Sequence, residues 1–116
     1  MSAGITPFAN AAQQGEASIP LSVIVSPASI FGFGISCPTT TGAATATPSG
    51  GAGGYLYAWD FTVGGSGMVI NSPTSSSTTV TRNGAGASTG TMRCTVTDDD
   101  LDTAEDDCAV DTECGT

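Results

Sequence analysis

Nine of the eleven carboxylates in this chain of 116 residues, Asp98, Asp99, Asp100, Asp102, Glu105, Asp106, Asp107, Asp111 and Glu113, gather towards its C-terminal end. Acids at that density repel one another unless counter-ions collect among them. A hard cation with several oxygen ligands would suit the run Asp98-Asp99-Asp100-Leu101-Asp102, so calcium held by Asp98, Asp99, Asp100 and Asp102 is one reading. A solvated acidic face is the other. The spacing lacks the Gly and the terminal Glu of an EF-hand loop, which excludes that family. Paired carboxylates can also hydrolyse glycosides, but these cluster on one hairpin instead of flanking a cleft.

The remaining chemistry is thin. The sequence has two Arg, no Lys and no His, so the commonest general base and the commonest transition-metal ligand are both missing. Ser and Thr are abundant, yet nothing in the sequence activates a hydroxyl. The glycine-rich stretch Gly50-Gly51-Ala52-Gly53-Gly54 has neither the Lys nor the following helix that phosphate cradling needs. No catalytic residue is assigned, and the expectation is a protein that is not an enzyme. A formal net charge of -9 repels polyanions, which argues against nucleic acid and against an anionic membrane surface as partners.

Cys37, Cys94, Cys108 and Cys114 admit three fully paired connectivities, and spacing does not choose among them. Cys108 could neighbour Cys94 across a hairpin, whereas Cys108 and Cys114 are too far apart along one extended strand to bond. Free buried thiols are the expectation for a product of the cytosol. Zinc is disfavoured because there is no CxxC pair and no His.

These residues must be positioned by short strands. Sixteen Gly and six Pro punctuate the apolar residues, and no window carries helical periodicity. Strands are expected at Leu21 to Val25, Ile30 to Ile35, Ala43 to Thr47, Tyr55 to Thr62, Met68 to Ile70, Ser77 to Arg82, Gly90 to Thr97 and Thr103 to Thr112. Pro27 marks an edge or a switch between sheets, and Gly32 and Gly34 permit a bulge or a close backbone approach. Seven to eight strands at this spacing predict an all-β, two-sheet antiparallel β-sandwich over residues 20–114. Alternation places Met92, Cys94 and Val96 on one face, and Trp59 is read as core, facing the Cys94 strand from the opposite sheet. An exposed, ligand-stacking Trp59 is the competing reading.

Residues 1–19 form a polar arm whose large apolar groups are Ile5, Phe8 and Ile19. The arm is either a disordered tail or an anchor that buries Ile5 and Phe8 on docking. It has the features of neither a secretory signal nor a membrane helix, so a soluble product made in the cytosol is expected.

The run Ala44-Thr45-Ala46-Thr47-Pro48-Ser49-Gly50-Gly51 leading to Tyr55-Leu56-Tyr57-Ala58-Trp59, then Ile70-Asn71-Ser72-Pro73-Thr74-Ser75 and Gly90-Thr91-Met92-Arg93-Cys94-Thr95-Val96-Thr97-Asp98, resembles the immunoglobulin-like domains of tailed-bacteriophage virion proteins. Tyr57-Ala58-Trp59-Asp60-Phe61 is also similar to the signature strand of the related PKD domains. In an antibody-type domain the partner of Cys94 would fall at Ala46, so that disulfide is not expected. The resemblance implies an immunoglobulin-like virion component assembled in the host cytoplasm: a head-decoration or tail-attached protein, displayed in many copies as an oligomer or lattice array. Its partners would be capsid or tail proteins, and its loops around Gly50, Gly54, Gly65 and Gly84 could touch host-surface carbohydrate. A receptor- or carbohydrate-binding module and a tail-tube or filament subunit are the alternatives.

Overall fold

The structure, a computed structural model, describes residues 19–115. The expected arm, with Ile5 and Phe8, lies outside the described residues apart from Ile19, which is exposed. Ten strands follow in order: β1 (Ser22–Ser26), β2 (Ser29–Gly34), β3 (Thr39–Thr40), β4 (Ala44–Ser49), β5 (Leu56–Gly64), β6 (Met68–Ile70), β7 (Ser77–Thr78), β8 (Val80–Arg82), β9 (Gly86–Thr97) and β10 (Thr103–Cys114). No helix occurs among the described residues.

The strands form three sheets, ordered β1-β4-β7, β2-β10-β9-β5 and β3-β8-β6. The all-β architecture is compatible with a β-sandwich. Every pairing is antiparallel except that of β2 with β10. Pro27 sits where the chain leaves the first sheet for the second, because a residue without an amide hydrogen cannot extend either ladder. The single strand expected from Ser77 to Arg82 is divided at Thr79. There β7 stays with β4 while β8 turns to β3 and β6, and Thr41 takes up the Val80 backbone through both its amide and its hydroxyl.

Alternation builds the core. Val23 and Val25 of β1 and Ala44 and Ala46 of β4 join Ile30, Trp59, Met92, Cys94, Val96, Cys108 and Val110 from the second sheet, with Met68 and Val80 closing one end. Met92, Cys94 and Val96 are fully buried, and Trp59 is 4% exposed. Its indole Nε1 donates to the Ser75 carbonyl at 2.6 Å, so the ring's one polar group is satisfied inside.

Trp59 and Cys94 are not on facing sheets, as the sequence reading had them. They are register partners on the adjacent strands β5 and β9 of one sheet. Ala44 and Ala46 of the β1-β4-β7 sheet belong to the same buried core as the indole. The thiol expectation holds for two cysteines and fails for two. Cys94 and Cys108 are free and buried, whereas Cys37 and Cys114 form a disulfide. β10 runs two residues beyond the expected Thr112 and keeps its parallel register with β2, so Cys114 lies opposite Gly34, just before the loop that carries Cys37.

Candidate functional site

The outer face of the four-stranded sheet is where large groups meet solvent. In β2 Ile30 and Gly32 point inward, while Phe31 and Phe33 point out, 62% and 61% exposed. The cause is the segment around β3. A Cβ on Gly32 would stand 3.1 Å from the Thr40 and Thr41 backbone, and one on Gly34 would meet the Ser36 carbonyl and the Thr39 side chain. A side chain at either inward position would crowd that segment, so glycine suits both, and alternation puts Phe31 and Phe33 on the outside.

The two rings stand side by side with centroids 5.5 Å apart. Ile35 continues the ridge and is 97% exposed. Register sets Phe31 beside Asp111 and Phe33 beside Glu113 on β10. Two shallow grooves flank the ridge. One, of about 310 Å³, runs between Phe31, Phe33, Ala109 and Asp111; the other, of about 380 Å³, lies between Phe33, Ile35 and Glu113.

Further along this face a cation intervenes. Arg93 bonds Asp107 through Nε at 2.8 Å and Nη2 at 3.3 Å, and reaches Glu105 at 3.3 Å. Asp107 is held below the usual carboxylate range by its hydrogen bond to Arg93, and the Arg93 guanidinium is correspondingly raised. The pair is half-exposed, so its net stabilisation is small.

In the loop read as a candidate calcium site, one acid is bound to the protein's own backbone. Asp98 turns inward, 2% exposed, and its carboxylate accepts three backbone amides: Ala52 at 3.0 Å, Asp100 at 2.9 Å and Asp102 at 3.0 Å. These bonds, that of Ala52 foremost, pull its pKa below the ordinary value. Asp98 therefore ties the glycine-rich loop to the β9–β10 hairpin. Gly51, at a φ of 66°, leaves the space for it, since a Cβ there would run into the carboxylate. Asp99, Asp100 and Asp102 are exposed. Among the described residues no group of three or more Asp, Glu, Cys or His side chains is arranged to hold a metal ion.

The four glycines expected in outward loops do not share a surface. Gly50 and Gly54 lie near the Asp98 end of β9, and Gly65 and Gly84 near its Gly86 end, where Arg82 donates to the Ser66 and Ala85 carbonyls at 2.9 and 3.0 Å. The tyrosines beside the first loop are half-buried: Tyr55 and Tyr57 pack against the core, and the Tyr55 hydroxyl donates to the Gly50 carbonyl at 2.7 Å. Both free thiols are raised in pKa by burial and stay protonated, which makes them poor nucleophiles.

Sequence reasoning placed a strand at Ile30 to Ile35 without giving it a role. The signal was present in Phe31-Gly32-Phe33-Gly34, where bulk and its absence alternate with the period of a strand. In comparisons with family models, curated proteins and solved structures, nothing matches this chain significantly.

Proposed function

We propose that this chain is a non-enzymatic, immunoglobulin-like docking protein of the kind carried on the exterior of tailed-bacteriophage particles, attached to capsid or tail proteins through one sheet edge. The observation that carries this reading is the aromatic ridge of β2. Two Phe exposed side by side on an edge strand, with exposed Ile35 just past its end, shed their unfavourable hydration only when something covers them.

The strand order supports the immunoglobulin-like part: the chain switches sheets at Pro27, runs β2 parallel to the last strand, and places β5, β9 and β10 as neighbours with the tryptophan on β5. The disulfide supports the exterior part, because such bonds persist in oxidising surroundings, virion surfaces among them. The carbohydrate-binding alternative draws little support from the aromatics near the loops, since Trp59 is buried and Tyr55 and Tyr57 are half-buried against the core. Many copies on one particle would multiply a modest individual affinity.

The test is to purify particles from an infection that produces this chain and to locate it in their density. A stoichiometric signal on the outer surface is expected. Abundant chain in the lysate with none on purified particles would overturn the reading.

A further inference from the structure

We infer that Asn83 is a site of self-modification: the main-chain nitrogen of Gly84 attacks its side-chain amide, and the loop between β8 and β9 passes through a cyclic imide to aspartate and isoaspartate. The inference goes beyond the docking reading and does not rest on it.

Two asparagines lie among the described residues, and the fold treats them in opposite ways. Asn71 is pinned. Its side-chain nitrogen donates to the Thr79 and Thr81 hydroxyls at 2.8 and 2.9 Å, and its side-chain oxygen accepts from the Thr81 hydroxyl at 3.3 Å. The nitrogen that would have to attack it, the amide of Ser72, already donates to the Thr78 hydroxyl at 2.9 Å. Electrophile and nucleophile are both engaged there.

Asn83 is held by its main-chain amide alone, which donates to the Gly67 carbonyl at 3.3 Å. Among the described residues neither its side chain nor the Gly84 amide makes a hydrogen bond. Asn83, Gly84 and Ala85 are exposed and lie outside every ladder, between the end of β8 and the start of β9. Glycine in the following position removes the Cβ that would crowd the approach of its nitrogen to the side-chain carbonyl carbon. Both reacting groups are therefore free to meet.

The Gly84 nitrogen gives up its proton and bonds to the Asn83 side-chain carbonyl carbon; the bond from that carbon to its NH2 group breaks, and ammonia leaves with a proton. Water then opens the imide. Hydrolysis at the side-chain carbonyl gives aspartate, and hydrolysis at the main-chain carbonyl gives isoaspartate, in which the main chain runs on through the former side chain. Nothing is oxidised or reduced, and water is the only co-reactant. Either product carries the chain one negative unit beyond its net charge of -9. The new carboxylate adjoins Arg82, whose guanidinium binds the Ser66 and Ala85 carbonyls and forms no ion pair among the described residues. Isoaspartate also lengthens by one carbon the span that Arg82 bridges to Ala85.

The experiment incubates the intact chain in water enriched in heavy oxygen and follows Asn71 and Asn83 by peptide mass spectrometry. Position 83 is expected to exchange its amide for a labelled carboxylate, to yield isoaspartate beside aspartate, and to react faster as pH rises, because the nucleophile is the deprotonated amide. Unfolding in urea should accelerate position 71 about tenfold relative to position 83, since the hydrogen bonds that restrain Asn71 and Ser72 are then lost. In Gly84→Ala the added Cβ would stand 3.9 Å from its nearest neighbour, Arg82 Nη2, so the variant fits the fold. It should react about tenfold more slowly than the parent.

No label at position 83 of the folded chain, a rate indifferent to pH, or an undiminished rate in Gly84→Ala would overturn the inference. So would urea accelerating both positions equally, which would mean that the fold restrains Asn83 as firmly as Asn71. All of these readings come from the isolated chain, so the inference can fail while the docking reading survives, and the reverse.

Discussion

Strands β9 and β2 belong to one sheet, separated only by β10, yet they distribute their apolar groups in opposite ways. In β9 the bulky residues Met92 and Val96 and the thiol of Cys94 are sealed inside, and Arg93, Thr95 and Thr97 look outward. In β2 Ile30 alone brings bulk to the core, while Phe31 and Phe33 look outward and Gly32 looks in. The first pattern is what folding alone requires. The second leaves two Phe side chains contributing little to the stability of the isolated chain, and on the docking reading proposed above their use lies in contact with a partner.

That contrast can be broken most forcefully in the core. Met92→Ala removes a fully buried side chain from the centre of the second sheet and should cost about 4 kcal/mol, read as a loss of chemical or thermal stability. A loss no greater than that of a surface change would mean that β9 is not the fold's central support. Replacing Cys37 by Ser, or reducing the bond to Cys114, should cost about 3 kcal/mol by freeing a long loop in the unfolded chain. The measurement is the midpoint of denaturant unfolding with and without reductant.

A smaller effect concerns the bracket at Asp98. Its folded pKa is depressed, so its contribution is complete above the ordinary carboxylate range and fades as pH falls through that range towards the lowered value. Asp98→Asn replaces an acceptor by a donor that would face a backbone amide, so the variant should be less stable near neutrality. It should also lose less stability on acidification than the parent does. Melting temperatures of both proteins across the acid range check the sign.

Least of all should follow from F31S/F33S, within about 0.5 kcal/mol of the parent. A large destabilisation would put the Phe pair among the groups that hold the fold, and the contrast between the two strands would vanish.

Much of the fold could be read from local pattern. The period-two alternation of Met92, Cys94 and Val96 describes an inward face, and Pro27 describes a place where a ladder must end. What escaped depended on how strands meet. That Cys114 reaches Cys37 follows from the parallel register of β2 and β10, which no spacing encodes. That Trp59 and Cys94 are neighbours within one sheet follows from the pairing of β5 with β9.

Asp98 is a different case. It continues the parity of Met92, Cys94 and Val96, so its inward turn was visible had the alternation been carried one step past the strand. The acidic run around it hid that step. For Phe31 and Phe33 the usual rule, bulk inward, points the wrong way, because a backbone segment from elsewhere in the chain already occupies the space beneath β2.

The bond between Cys37 and Cys114 closes residues 37–114 into a covalent ring that holds eight of the ten strands. Tension applied between the chain's two ends is transmitted across the sulfur atoms, so the enclosed strands cannot be drawn out. Of the described strands only β1 and β2 can be peeled away. The grip of a tethered copy under mechanical load then depends on how firmly those two strands adhere to their neighbours.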